Sequence, residues 1–258
     1  MNLKDKFFDL FNLYIEKKTS KKDISRVLKK LLPYKIDKKL IRLGDQNDGG
    51  YLIPNDIEGI KKNYSAGIGN LTKFEMDLEQ KYSIISYMFD FNEIDQKILP
   101  KRSKFFKKKI GIISLNDKLS MNDLLDNEEG EIICKIDIEG DEYLTLTSIS
   151  EQNLNKIRIL VIEIHDLRHL RNYFFFKSFE KIIDKLNKNF HICHLHPNNV
   201  SKVKNVGGYD VPDMLELTLI RKDRIKNFKE QFSDLPHQLD QKTVLTKNEI
   251  FIDKKWYL

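Results

Sequence analysis

From Tyr64 to Ile220 the chain alternates short apolar runs with helix-forming segments, and that alternation limits the fold more than any other feature. Strand signals fall at Tyr64 to Ala66, Ser83 to Phe89, Ile110 to Ile113, Ile132 to Ile138, Ile159 to Ile164, His191 to Leu195 and Leu215 to Ile220. Between them lie helix signals from about Thr72, over Met121 to Leu125, and from about Phe174 to Leu186. Repeated strand–helix–strand units pair their strands in parallel and cover both faces of the sheet. The expected fold is α/β: a Rossmann-like, doubly wound, mostly parallel sheet of seven strands. Ahead of it, Asp48-Gly49-Gly50-Tyr51-Leu52-Ile53-Pro54 carries an Asp-Gly turn feeding a short strand.

The N-terminus has a different texture. Leu3, Phe7, Leu10, Phe11 and Tyr14 share one helical face, which predicts a helix over about 3 to 17. Ser20, with Asp23 three places on, opens a second helix carrying Ile24, Val27, Leu28 and Leu31, and Pro33 ends it. Residues 1–40 therefore read as an N-terminal helical extension and 41–258 as the main domain. Such a helix pair could cap the domain, join two chains in a homodimer or touch a membrane surface; capping needs no partner. No run approaches the roughly 18 apolar residues of a membrane span, so no transmembrane segment is expected. Met1 leads into a mixed helix rather than a signal peptide, and Cys134 and Cys193 lack C-x-x-C spacing. Together these point to the cytoplasm, with two buried free thiols. The net charge of +6 comes from lysines scattered along the whole chain, without an arginine-rich or aromatic-interleaved stripe, so nucleic acid is not the expected partner.

In doubly wound sheets the ligand lies beyond the C-terminal strand ends, at the switch point, and the chemistry is to be sought there. The first strand of the alternation ends in Ser65-Ala66-Gly67-Ile68-Gly69-Asn70, where two glycines permit a tight turn and close approach to a ligand. Asp90 closes the next strand 21 positions after Gly69, where a carboxylate can accept hydrogen bonds from the ribose of an adenosine cofactor. A dinucleotide fingerprint wants a third small residue at position 72, which is Thr72. S-adenosylmethionine has no pyrophosphate to seat, so it suits this looser loop better. Glu75 either closes a capping box with Thr72 or meets the cofactor's amino-acid end.

The stretch Lys135-Ile136-Asp137-Ile138-Glu139-Gly140-Asp141-Glu142-Tyr143 ends the fourth strand. Alternation puts Lys135, Asp137 and Glu139 on one side, and the neighbouring strand LVIEIHDL presents Glu163 and His165 in the same way. Carboxylates converging on one spot repel unless a cation, a proton or substrate hydroxyls partner them, which marks a site rather than packing. Within that stretch, Glu142 reads as a solvated residue at the next helix start and Asp141 as a cap. Further along, His194-Leu195-His196-Pro197-Asn198-Asn199 brings His196 and Asn198 to the same edge as candidates for substrate binding.

KIDIEGDEY, SMNDLL, LVIEIH, HLHPNN and VPDMLELTLIRKD together resemble the FkbM family of S-adenosylmethionine-dependent methyltransferases, over about Arg42 to Asp223. SAGIGN and FDFN fall where that family's cofactor loop and ribose carboxylate lie, which implicates Gly67, Gly69, Asn70, Asp90 and Phe91 in cofactor binding. The resemblance implies a class I methyltransferase fold and O-methylation, often of sugars in surface polysaccharides, glycolipids or natural products. The expected acceptor is thus a hydroxyl of a sugar, sugar nucleotide or glycan. A sugar hydroxyl is a poor nucleophile, so the reaction needs positioning and a base or a metal. His165 is the first candidate base, beside Asp137 and Glu139 as catalytic residues. Asp137, Glu163 and His196 could instead hold magnesium or manganese, as related sugar methyltransferases do. An amino-group methyltransferase would carry Asn or Asp before Pro-Pro-aromatic where DIEG stands. A non-catalytic nucleotide-binding module, or a methyltransferase acting on a non-sugar small molecule, are the alternatives.

Overall fold

The computed structural model describes residues 16–230 and 235–258. The helix expected over 3–17 lies outside the described residues except for its last two, which are not helical. There the chain is tied down: Thr19 N donates to Arg171 O at 2.8 Å and Tyr173 N donates to Lys17 O at 2.9 Å.

Helix α1 (Lys21–Lys30) starts as its sequence dictates, with the Ser20 hydroxyl accepting from Asp23 N. Its stripe of Ile24, Val27, Leu28 and the following Leu31 is wholly buried in the main core. Strands β1 (Leu40–Gly44) and β2 (Gly50–Pro54) form an antiparallel hairpin around the predicted turn. The alternation then follows: β3 (Lys62–Ala66), α2 (Lys73–Tyr82), β4 (Ile85–Asp90), β5 (Lys104–Lys107), β6 (Ile132–Ile136), α3 (Glu142–Ser148), β7 (Ile157–Ile164), α4 (Tyr173–Asn189), β8 (Phe190–Pro197) and β9 (Leu215–Arg221). These build a seven-stranded sheet in the order β5-β4-β3-β6-β7-β9-β8. All strand pairs are parallel except those of β9, which runs against both its neighbours. The chain steps from β3 through β4 to one edge, then returns to β6 on the other side of β3. The switch point is therefore between β3 and β6.

The sheet edge differs from expectation. Ile110 to Ile113 does not join the sheet: Lys109–Gly111 pairs with Lys118–Ser120 in a separate ribbon, and Ile112 and Ile113 are exposed. The edge belongs to β5, KFFK, whose Phe106 stacks on Phe89 with ring centroids 5.1 Å apart. Its flanking lysines disguise it, as charges at an open edge commonly do. Ahead of β5 the stretch from Phe91 is irregular, and a further antiparallel hairpin forms from Val203–Val206 and Tyr209–Pro212.

Alternation sorts the faces. Cys134, Ile136, Leu160, Ile162 and Ile164 pack with α1 and α4 in the larger cluster. Ile133, Ile159 and Val161 face the hairpin and α2, against Leu43, Tyr51, Ile53, Phe74 and Leu78. Both cysteines are buried and free. Residues 235–258 lie against β8 and the Val203–Pro212 hairpin: Asp240 meets His194 at 2.8 Å, Glu249 meets His196 at 3.2 Å, and the fully buried Trp256 donates its Nε1 proton to Asp210 O at 3.1 Å. No helix among the described residues is long and apolar enough to cross a membrane.

Helices α1 and α4 are joined by Glu180, which accepts from Arg26 Nε at 2.7 Å and lies 3.2 Å from Lys30 Nζ. The Arg26 hydrogen bond leads in holding the Glu180 carboxyl down at about 2. A depressed carboxylate stabilises the fold above its unfolded pKa, and that contribution is lost as pH falls toward the folded value. Urea midpoints should show wild type losing about 1 kcal/mol more than Glu180→Gln between pH 6 and pH 2.5, the scale of a pair whose basic partners stay in water. Equal losses would mean that the pair contributes nothing.

Candidate active site

A cleft of about 550 Å³ opens at the switch point, between the C-terminal ends of β3, β4 and β6 and under the turn of the β1–β2 hairpin. Its volume suits a cofactor-sized ligand. The two glycines of the first loop have different tasks. Gly67 adopts φ +72°, and a Cβ there would fall 1.6 Å from Asp137 O, so the glycine lets the ends of β3 and β6 lie against each other. Gly69, at φ +49°, faces open space: no atom stands within 4 Å of where its Cβ would be.

Asp90 stands in the cleft wall and also holds the loop. Its Oδ2 accepts from Ile68 N at 3.0 Å and Gly69 N at 2.9 Å, and its Oδ1 accepts from Asn92 N at 2.8 Å. A carboxylate offers about four lone-pair positions, so one remains for a ligand hydroxyl. Phe91 is 60% exposed and borders the cleft, as does Ile110 across from it in the chain. Asn70, expected at the cofactor, is exposed and not part of the lining.

The capping box is not formed. Thr72 makes no side-chain cap and its hydroxyl instead donates to Ile98 O. Glu75 is fully buried, accepts from Ser65 Oγ at 2.6 Å and pairs with Lys135 Nζ at 2.9 Å, so it reaches the cleft only through that lysine. Lys135 in turn lies under Tyr51 and Phe74, 5.5 and 5.7 Å from their ring centroids.

At the far rim the strand ends converge. His165 Nε2 lies 3.5 Å from Glu139 Oε2 and 3.9 Å from both Asp137 Oδ1 and Glu163 Oε1. On its other side Nδ1 is 3.0 Å from Glu142 Oε1, which also accepts from His165 N at 2.9 Å. Glu142 is therefore not solvated: it is completely buried, its second oxygen accepts from Gly140 N at 2.8 Å, and it fixes the imidazole from behind. Asp141 makes no cap and pairs with Lys109 instead. With Nδ1 against a carboxylate, the neutral ring carries its proton there and its lone pair on Nε2, which is buried and has no hydrogen-bond partner among the described residues. Both strand-end loops contain a non-glycine residue with left-handed backbone, Glu139 at φ 55° and Asp166 at φ 59°, a conformation that costs about 1 kcal/mol or more.

The electrostatics follow from burial. Desolvation, with Asp137 and Glu216 adding repulsion, lifts Glu163 far above the ordinary carboxyl range. Burial likewise raises Asp137, against the pull of Lys135 and His165. For His165 burial opposes the charged form, but Glu142, Asp137 and Glu139 outweigh it and raise the imidazole.

His196 and Asn198 are placed differently from expectation. Register puts Glu163, Glu216 and His196 in one row across β7, β9 and β8. His196, however, is engaged by Glu216 at 3.7 Å and Glu249 at 3.2 Å, which outweigh its burial and push it up to about 9. Asn198 is buried and donates from Nδ2 to Glu163 Oε1 at 2.9 Å, so it orients that carboxyl. The expected metal set of Asp137, Glu163 and His196 is thus not assembled. The group whose ligating atoms all fall within 4.8 Å of one another, among the described residues, is Asp137, Glu139 and His165. Lys135 and Glu142 were in view in the sequence without their present roles. For Glu142 the available signal was a carboxylate in the first turn of a helix that begins where the acidic strand end stops. In comparisons with known proteins, no family model matches the chain, and no curated protein matches it either.

Proposed function

We propose that this chain is an S-adenosylmethionine-dependent O-methyltransferase acting on a hydroxyl of a sugar, sugar nucleotide or surface glycan. The observation that carries the reading is one cleft with a glycine loop and a strand-end carboxylate at one end and, at the other, the carboxylates Asp137 and Glu139 with the His165 imidazole beside them. The sheet, with one reversed strand among parallel ones, is compatible with the class I methyltransferase arrangement that the FkbM resemblance implies.

In this reading adenosine lies along Gly67 to Gly69, with its base beside Phe91 and Ile110 and a ribose hydroxyl on the free position of Asp90. The methyl group then faces the rim. Transfer to oxygen needs the acceptor in line with the sulfur–methyl bond and its proton removed. In the metal-free protein His165 Nε2 takes that proton, while Glu142 holds the ring and stabilises its charge. Asp137 and Glu139 accept hydrogen bonds from further hydroxyls, which favours a polyol over an isolated alcohol. A module that binds a nucleotide without turning it over would have no use for a buried imidazole nitrogen left without a hydrogen-bond partner among the described residues.

Calorimetry with S-adenosylhomocysteine should show binding to the wild-type chain. Gly69→Ala should weaken it at least tenfold while lowering Tm by only a few degrees, because the new methyl enters space free of protein atoms and the left-handed backbone costs about 1–2 kcal/mol. Unchanged affinity would remove the loop as the cofactor seat. A screen of sugar nucleotides and glycans for S-adenosylhomocysteine release tests the acceptor class; turnover confined to amines would overturn it.

A further inference from the structure

We propose that Asp137, Glu139 and His165 form a binding site for a divalent cation, manganese(II) ahead of magnesium, with Glu142 as the outer partner that aims the imidazole.

A group of carboxylates alone would not make a site. The added observation is His165 Nε2: the residue is 7% exposed, the nitrogen has no hydrogen-bond partner among the described residues, and it is directed into the carboxylates. Its tautomer is set by Glu142, itself completely buried, at 3.0 Å from Nδ1. A histidine with Nδ1–H on a buried carboxylate and a bare Nε2 is the arrangement that metal-binding imidazoles use, because the outer carboxylate orients the ring and makes it a stronger donor.

The distances agree. An octahedral ion with bonds of about 2.1 Å keeps adjacent ligand atoms about 3.0 Å apart and opposite ones about 4.2 Å apart. Nε2 lies 3.5 Å from Glu139 and 3.9 Å from Asp137, inside that range. The buried cation nearby, Lys135, is engaged with Glu75 at 2.9 Å. Glu139 has 85% of its side chain exposed, which leaves an entry path from solvent. Oxygen donors suit magnesium and manganese alike, and the imidazole favours manganese.

The site stands whether or not the methyl-transfer reading holds. If both hold, the ion would acidify a bound hydroxyl and His165 would serve as a ligand in place of free base.

The test needs neither methyl donor nor acceptor. Metal-stripped full-length protein is titrated with manganese(II) and the free-ion electron paramagnetic resonance signal is followed. About one ion per chain should bind, and magnesium should compete. Asp137→Asn and His165→Ala should weaken binding at least 100-fold. Glu142→Gln, which touches no ion, should weaken it about 10–100-fold. His196→Gln should bind as wild type does. Circular dichroism identifies any variant that fails to fold, and the near-isosteric Asp137→Asn and Glu142→Gln then decide. Wild type failing to bind at millimolar manganese, folded Asp137→Asn and Glu142→Gln binding like wild type, or His196→Gln losing binding as Asp137→Asn does, would each overturn the site. Because S-adenosylhomocysteine binding is measured separately, either proposal can fail without the other.

Discussion

Gly67→Ala should leave little folded protein at 37 °C. The substitution places a methyl group 1.6 Å from the Asp137 carbonyl oxygen, and the clash is with backbone, so no side chain can swing away. Relief requires β3 and β6 to part at their C-terminal ends. Those strands are adjacent and central, and Asp137 N donates to Ala66 O at 2.9 Å across the same gap. Separation would break that bond and open a core where Ala66 and Ile136 are buried. With the left-handed backbone added, the expected cost is about 4 kcal/mol or more, in the class of severe core defects. At roughly 2–4 °C per kcal/mol for a domain of this size, Tm should fall by about 10 °C or more. Thermal melts of Gly67→Ala beside Gly69→Ala give the contrast: two alanines two positions apart, one disrupting the fold and the other sparing it. Comparable melting points would mean that the approach of β3 to β6 is looser than described.

His165→Ala should reduce methyl transfer to any acceptor found in the screen by about 10²- to 10⁴-fold, the usual contribution of a positioned proton acceptor. That range equals about 2.7–5.4 kcal/mol of barrier. Affinity for S-adenosylhomocysteine should stay within about twofold, since the imidazole is at the rim and does not line the cleft wall. Removing the ring also leaves Glu142 Oε1 without its Nδ1 partner, although His165 N still donates to it at 2.9 Å. Glu142→Gln therefore serves as a companion: it keeps the ring and loses the charge behind it, and its activity should fall between the two. Equal turnover by His165→Ala and wild type would place the chemistry elsewhere.

The parts of the fold that could be read in advance are those where local pattern and final packing coincide. Ile132 to Ile136 and Ile159 to Ile164 are apolar on both sides because both faces of the sheet are covered, and nothing distant changes that. β5 escaped because its two phenylalanines are bracketed by lysines; only the stack on Phe89 and Tyr87 reveals it. The rim shows the same division. Strand alternation suffices to bring Asp137, Glu163 and His165 to one side. It cannot show that α3 would return Glu142 beneath His165, or that Glu249, more than fifty residues further on, would engage His196. Even the row Glu163, Glu216 and His196 follows from register, yet a shared face is not a shared ligand sphere: the acidic partners of His196 turn it from Asp137.

The segment from 235 to 258 sets a limit on how far the chain can be trimmed. A product ending at the close of the sheet would keep every residue of the cleft lining and still lose the acids that contact two interior histidines, together with the indole that seals the core beside α1. The tail behaves as a clasp on the outer strands, so the smallest autonomous unit is longer than the set of residues that could touch a substrate.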